Sequence, residues 1–414
     1  MKILHTSDWH LGRGLGDYEL YEDQEAAIKF IVDEAISQKV NVFVVAGDVF
    51  DRGTPPPRSI KLLNQALTRL NEAGVVSIVT AGNHDNAERL SAYSNLLTEN
   101  VHIWGSITDT GKPILVDDEH GLVAFYPITY LYPDKSIETF EELGQGKVER
   151  SHQAVHEYAM NLIRANFEEL KKASKNPRMV VISHSFVTTY GTKSKLEIVE
   201  GLEVENGAVV SESERDISVG GVQTITADTF DGATYVALGH LHGAQKVSGL
   251  KTKATLAYSG SPIKYSLSEA NHKKSFTIVN VGKESIISDN HLERVEIPQT
   301  RGMARLEGTC AELIDGRYKK HIEDFLELTI ADEQLDTIEL AVVRNYFKSI
   351  LSTKYKNFNR TRLEEYAASD TNKMTDFEIL ATFFDKVSGT KLVGAELATI
   401  TSVFEESLLE SGGK

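Results

Sequence analysis

Cysteine is almost missing from this chain: Cys310 is the only one in 414 residues. No internal disulfide can form, which excludes a disulfide-stapled scaffold and points to the cytoplasm. With no second thiolate available, a metal would have to be held by oxygen and imidazole donors. No apolar run is long enough to span a bilayer, so no membrane role is expected. Met1-Lys2-Ile3-Leu4-His5 enters a strand at once and leaves no room for a signal peptide. Positive charge is also short: 44 Lys and Arg face 60 Asp and Glu, a net charge of -16. That argues against a generally basic nucleic-acid surface. It does not exclude nucleic acid, because bound divalent cations, local basic patches or a second protein can offset it.

What is present is ordinary globular protein, 41% hydrophobic and 25% charged, long enough for two or three domains. Strands and helices alternate. Residues 2–7, 42–46 and 75–80 read as strands. Residues 21–37, 58–72 and 87–98 read as helices, the second following Pro55-Pro56-Pro57. A long helix is expected over 150–173, and further strands at 122–126, 179–183, 235–238, 254–258 and 275–281, the last two antiparallel. Residues 189–222 read as a polar loop containing Glu212-Ser213-Glu214-Arg215-Asp216. This alternation indicates an α/β layered fold. Past residue 285 the texture changes. Residues 286–301 read as a linker and 302–365 as a small α+β unit, with strands at 304–307 and 325–330 and a helix at 337–352. Residues 366–414 read as a pair of amphipathic helices, with Phe377, Ile379, Leu380, Phe383 and Phe384 on one apolar face and Leu397, Ile400, Val403 and Phe404 on the other.

The chemistry lies just beyond the apolar runs. The first is followed by Asp8 and His10, the second by Asp48, the third by Asn83 and His84, and later ones by His184 and by His240 and His242. The carboxyl edge of a parallel sheet is where ligands bind in open α/β folds, so parallel strands would bring these positions to one rim. Taken singly, each residue would be a turn former, a helix cap or a packed histidine. Five strand ends carrying the series argue for a joint role. The mixed oxygen and imidazole donors suit manganese, iron or zinc, and a pair of ions needs one bridging carboxylate, for which Asp48 is the candidate. Asp8 and His10 alternate, as do His240 and His242, so each pair can share a site only where its strand has already broken. Asp85 could cap the helix at 87–98, Arg52 is a turn residue or a phosphate contact, and His5 reads as packed inside its strand.

The series Asp8-x-His10, Gly47-Asp48-x-x-Asp51, Gly82-Asn83-His84-Asp85, His184 and Gly239-His240-x-His242 resembles the calcineurin-like metallophosphoesterase signature. The stretches from Ile3 to Gly12, Ala46 to Asp51, Ala237 to His242 and Tyr258-Ser259-Gly260-Ser261-Pro262 are similar to the bacterial branch of its double-strand-break repair nucleases. The resemblance implies a four-layer αββα sandwich over residues 1–285, followed by a capping domain and C-terminal helices. It implies two divalent ions, manganese by preference, one held by Asp8, His10, Asp48 and His242 and the other by Asp48, Asn83, His184 and His240. It makes His84 a catalytic contact to the scissile phosphate and leaving oxygen, and Asp51 the residue that orients His84. Archaeal and eukaryotic relatives carry a histidine at the position of Asp51, so that residue's role there cannot be transferred. Arg52 as a phosphate clamp is a separate expectation, from the match of guanidinium to phosphate.

As partners the resemblance implies DNA, an SMC-like ATPase docked on the C-terminal helices, and a homodimer within a heterotetramer, in the cytoplasm and associated with the nucleoid. Lys251, Lys253, Lys264, Lys273 and Lys274 are candidates for phosphate-backbone contacts. The expected activity is a two-metal 3′-to-5′ duplex exonuclease and hairpin or single-strand endonuclease. The rivals are a phosphoesterase for small phosphomonoesters or cyclic nucleotides, and a non-catalytic scaffold at DNA ends. The residues after 285 argue against the first, and the complete series of candidate ligands argues against the second.

Overall fold

A computed structural model describes residues 1–142, 148–189, 196–199, 202–205, 208–210, 224–283, 292–332 and 337–356, with 377, 381, 384, 393–394 and 396–403 in the C-terminal part. The chain divides into two compact units, Met1–Met303 and Ala304–Lys414.

The first unit is built on two six-stranded sheets. In one, Lys2–Thr6, Val42–Ala46, Val76–Thr80 and Val101–Trp104 run parallel in that order, and Ser275–Asn280 and Leu292–Glu296 extend the Lys2 side antiparallel. In the other, Thr255–Tyr258, Tyr235–Gly239, Arg178–His184 and Gly121–Ile128 run parallel between antiparallel edge strands, Gln245–Val247 and Ile114–Asp118. The strand at 255–258, expected to be antiparallel, is so only to the edge strand Gln245–Val247 and runs parallel to its other neighbour at 235–239.

Alternation along each strand builds the layers. Val123, Phe125, Val180, Ile182 and Ala237 face Ile3, Val42, Val44 and Ile78 across the space between the sheets. Their neighbours Ala124, Tyr126, Val181 and Val236 face outward onto Val155, Ala159, Ile163 and Phe167 of the helix His152–Ala173. On the far side, Phe30 of the helix Tyr21–Ser37 packs on Phe276 of the first sheet. A second helix, Pro57–Glu72, lies against the first and against Val76–Thr80. The order helix, sheet, sheet, helix is the four-layer αββα sandwich.

Three expectations fail here for local reasons. The helix at 87–98 is only Ala87–Leu90 and a 3₁₀ turn at Ser94–Leu96. Within 189–222, Leu196–Val199, Leu202–Glu205 and Ala208–Val210 pair as a three-stranded antiparallel sheet rather than a loop. Alternating residues around Asn206-Gly207 were the sequence signal for it. The charged patch 212–216 lies outside the described residues. Residues 286–301 are not simply a linker either. Leu292–Glu296 is an edge strand of the first sheet, and Arg301 binds the Asp23 carboxylate on the first helix, Nε to Oδ1 3.1 Å.

The second unit has a three-stranded sheet, Met303–Gly308, Phe325–Ile330 and Ser349–Tyr355, with helices Cys310–Ile314 and Thr337–Tyr346. Leu306, Leu313, Leu326, Leu328 and Val343 form its core. The expected helix at 337–352 stops at Tyr346, because the run Ser349-Ile350-Leu351-Ser352-Thr353 pairs parallel with Phe325–Ile330. Most of the two C-terminal helices lies outside the described residues; 396–403 is helical.

Candidate metal centre

The candidate residues leave both sheets at the same edge. Asp8, His10, Asp48, Asn83 and His84 follow strands of the first sheet, and His184, His240 and His242 end or follow strands of the second. The single rim expected from the sequence is thus shared by two sheets. Asp8, His10, Asp48 and His240 have φ of 54°, 42°, 48° and 108°. Non-glycine residues rarely adopt such values, and four of them at one point mark backbone held by its surroundings. These turns end the strand alternation and let Asp8 and His10 face one pocket.

The two first-sheet loops are zipped together: the N–H groups of Asp8, His10 and Leu11 donate to the carbonyls of Gly47, Asp48 and Val49 at 3.1, 2.9 and 2.9 Å. Glycine is required where the sheets meet. A Cβ on Gly47, whose φ is 83°, would sit 2.3 Å from His184 Nδ1, and one on Gly239 would sit 1.8 Å from the Ala46 carbonyl oxygen. Asp85 does not cap a helix; Asn86 does, accepting from Arg89 N–H. The Asp85 carboxylate accepts the N–H groups of Val49, Phe50 and Gly82 at 3.0, 2.9 and 2.9 Å, tying the Asp48 turn to the Asn83 turn.

Among the described residues the candidate atoms converge here in three overlapping groups, Asp8 with His10 and His242, His10 with Asp48 and His84, and Asp8 with Asp48 and His184, each within 4.8 Å. His10 Nε2 and His242 Nε2 lie 3.2 Å apart. His242 Nδ1 donates to Glu269, so its Nε2 presents a lone pair toward His10. Asp48 Oδ2 lies 3.2 Å from His184 Nε2 and 3.6 Å from His10 Nε2, between the groups. Asn83 Oδ1 is 3.0 Å from His184 Nε2. His240 packs edge-on against His184 at 5.4 Å, and its N–H donates to Asp8 Oδ1 at 3.0 Å. Imidazole nitrogens and carboxylate oxygens buried this close together form a donor set that a cation between them would satisfy. The residues present therefore fit a pair of divalent ions of the manganese, iron or zinc kind.

The electrostatics agree. Burial would raise the Asp48 carboxyl, but His184, then His10 and His84, outweigh it and hold it well below the usual range. Burial raises Asp8, with His184 and His242 opposing. Burial would lower His184, yet Asp48 by charge and hydrogen bond, then Asp8, push it up to about 9. In the metal-free protein the Asp48 charge, with that of Asp8, thus favours a proton on His184. Burial lowers His10 well below its ordinary value and His240 to about 3.

His84 stands beside the donors, its ring 4.7 Å from that of His10 and its N–H on Asp48 Oδ1 at 2.9 Å. Its Nδ1 donates to the main-chain carbonyl of Asp51 at 3.0 Å. Asp51 does hold His84, but through its backbone; its carboxylate faces His10 and Arg13. Arg52 is exposed at the rim of a cleft of about 620 Å³ that also contains Asp51, His84, Arg13 and Arg58.

Sequence reasoning missed Arg13, whose guanidinium lies over the Tyr265 ring, and Glu269, which is fully buried behind His242. Neither stands at a strand end, so the pattern that found the others could not reach them. Lys274 is corrected: it is 2% exposed and bound to Glu269, so it is no surface contact for DNA. Lys264 donates to the Ala270 carbonyl, while Lys251, Lys253 and Lys273 are exposed. His5 is packed as expected, its Nδ1 2.8 Å from the Tyr235 hydroxyl.

Comparison with known proteins bears on this geometry. Residues 1–244 match the calcineurin-like phosphoesterase family. Over 426 aligned positions the chain is 26% identical to the D component of the nuclease SbcCD of Staphylococcus saprophyticus, with 100% of both chains covered. Among solved structures, TT1561 of Thermus thermophilus aligns at 13% identity over 72% of this chain and 99% of its own, with a TM-score of 0.39. A dimetal phosphatase from Danio rerio aligns at 12% over 67% and 91%, also at 0.39. With the family match covering more than half its length, the chain belongs to the calcineurin-like phosphoesterase family.

Proposed function

We propose that this chain is the nuclease component of an SbcCD-type complex, cleaving DNA phosphodiesters with two manganese ions in repair, replication and recombination. It acts as a 3′-to-5′ exonuclease on duplex ends and as an endonuclease on hairpins and single strands. The observation that carries the reading is the meeting of Asp8, His10, Asp48, His184 and His242 in one buried cluster, with His84 beside it in an open cleft. Similarity to the SbcCD nuclease component along the whole chain supports a polynucleotide over a small ester.

Asp8, His10, Asp48 and His242 would hold one ion, and Asp48, Asn83, His184 and His240 the other. The bound pair would supply Lewis-acid stabilisation of the charge on the phosphoryl oxygens as water attacks in line. With Nδ1 committed to the Asp51 carbonyl, His84 would meet the scissile phosphate through a protonated Nε2, whose N–H stabilises the leaving oxygen or gives it that proton. Arg52, at the cleft rim, offers a guanidinium fork to a neighbouring phosphate.

The C-terminal helices would dock on the coiled-coil base of an SbcC-type SMC-like ATPase, by laying apolar faces into a groove. Leu397 and Val403, 37% and 60% exposed, support that reading. A homodimer within the heterotetramer is supported by an apolar groove of about 630 Å³ whose lining includes Ile60, Tyr93, Leu96 and Leu97. The setting is the cytoplasm, at the nucleoid.

The test incubates purified protein, alone and with the ATPase, with manganese and end-labelled duplex or hairpin DNA. Cutting that is lost in His84→Ala, with bound metal retained, is the expected result. Intact DNA alongside hydrolysis of nitrophenyl phosphate would make it a small-ester phosphatase, and neither activity would make it a scaffold.

A further inference from the structure

The two histidines on either side of Asp48 are backed differently. His184 Nδ1 donates to a neutral main-chain carbonyl, that of Ala46, at 2.9 Å. His242 Nδ1 donates to the Glu269 carboxylate at 3.1 Å. Glu269 is 0% exposed and its other oxygen meets Lys274 Nζ at 2.5 Å. Lys274 places its remaining ammonium donors on the main-chain carbonyl of His242 at 3.0 Å and on Ser261 Oγ at 2.8 Å. The pair therefore grips His242 twice, at the ring and at the backbone.

A buried ion pair is a weak source of stability, since an apolar pair of similar volume often does as well or better. Its retention behind one histidine points to that histidine. A carboxylate on the far nitrogen fixes the tautomer and ring orientation of a metal-binding imidazole and makes its near nitrogen a stronger donor. A carbonyl fixes the tautomer with less charge. The two ion positions should then differ in strength.

We propose that Glu269 is the positioning residue of the ion position formed by Asp8, His10 and His242, with Lys274 fixing Glu269, and that this makes it the tighter of the two positions. The inference rests on the two-metal reading above. Glu269 aims the His242 ring and loads its Nε2. Lys274 neutralises the buried carboxylate, so the loop carries no unpaired charge when the ion is absent.

The test is calorimetric titration of the full chain with manganese, with electron paramagnetic resonance of the loaded protein and melting of the metal-free protein alongside. The wild-type chain should bind two ions of unequal affinity and show a coupled manganese pair. In the double variant Glu269→Met, Lys274→Met, both charges leave together. The tighter affinity should fall about 10–100-fold while the weaker holds, so that the coupled signal needs correspondingly more manganese to appear than in wild type. Glu269→Gln, which keeps an acceptor for His242 but no charge, should lose affinity in the same position and serves if the double variant does not fold. Two ions bound with unchanged affinities, or both affinities falling together with a lower melting temperature, would overturn the proposal. Failure of the wild-type chain to bind two ions would instead overturn the two-metal reading.

Discussion

His84 is held by the main chain of Asp51 and not by its carboxylate. Nδ1 of His84 lies 3.0 Å from the Asp51 carbonyl oxygen, while Asp51 Oδ1 is 3.7 Å from His10 Nδ1 and 3.8 Å from Arg13 Nε. A substitution at Asp51 keeps the carbonyl, so the two positions should separate in kinetics.

His84→Ala should lower turnover by about 10²–10⁴-fold, the usual worth of a positioned proton donor, whereas Asp51→Ala should cost roughly tenfold or less. Turnover on labelled duplex DNA and on nitrophenyl phosphate, with metal content measured on the same samples, checks the contrast. Equal losses would mean that the Asp51 carboxylate acts directly.

Gly239→Ala should destabilise the fold by about 2 kcal/mol or more, because its Cβ would lie 1.8 Å from the Ala46 carbonyl oxygen and 2.7 Å from His184 Nδ1. Urea unfolding of the metal-free protein gives the number. A midpoint unchanged from wild type would show that the two sheets can part there without cost.

Metal binding should release a proton. His184 sits at about 9, above its ordinary 6.5, through the charges of Asp48 and Asp8 acting against burial. As a raised histidine, it adds stability to the metal-free protein that is complete below 6.5 and lost as pH rises through about 9. An ion must displace that proton, so affinity should rise by up to about tenfold per pH unit between 7 and 9. Calorimetric titration in two buffers of different ionisation enthalpy counts the protons released.

Acid should weaken the sandwich through His5 and His156, both lowered to about 3, chiefly by burial. Their folded forms stay neutral while the unfolded chain takes up protons below 6.5. Stability therefore falls as pH drops from 6.5 toward 3, by up to about 1.4 kcal/mol per pH unit for each group. Urea midpoints between pH 4 and 7 should show a shallower acid limb in His156→Met than in wild type.

Leu96→Asp should shift the chain toward monomer if the groove beside it is the dimer surface. Leu96 is 82% and Tyr93 74% exposed, so a charge there costs the single chain little. Sedimentation velocity of the full chain reads the outcome, with melting temperature as the control for folding.

The sequence by itself determined which residue types stand after each apolar run, because a buried parallel strand is written as a run of Val, Ile and Ala and its end is marked by what breaks it. That was enough to name Asp8, His10, Asp48, Asn83, His84, His184, His240 and His242. Only the tertiary structure decided which of these residues leave the first sheet and which the second, where the two packed sheets share a rim, since strand partners are not written in any one strand. It also decided that Asp51 meets His84 through its main-chain carbonyl, that Leu292–Glu296 belongs to the first sheet, and that Glu269 and Lys274 lie buried behind His242. Local pattern records the exposure a residue would have on its own element. A charged pair in a serine-rich turn becomes interior only when distant chain closes over it.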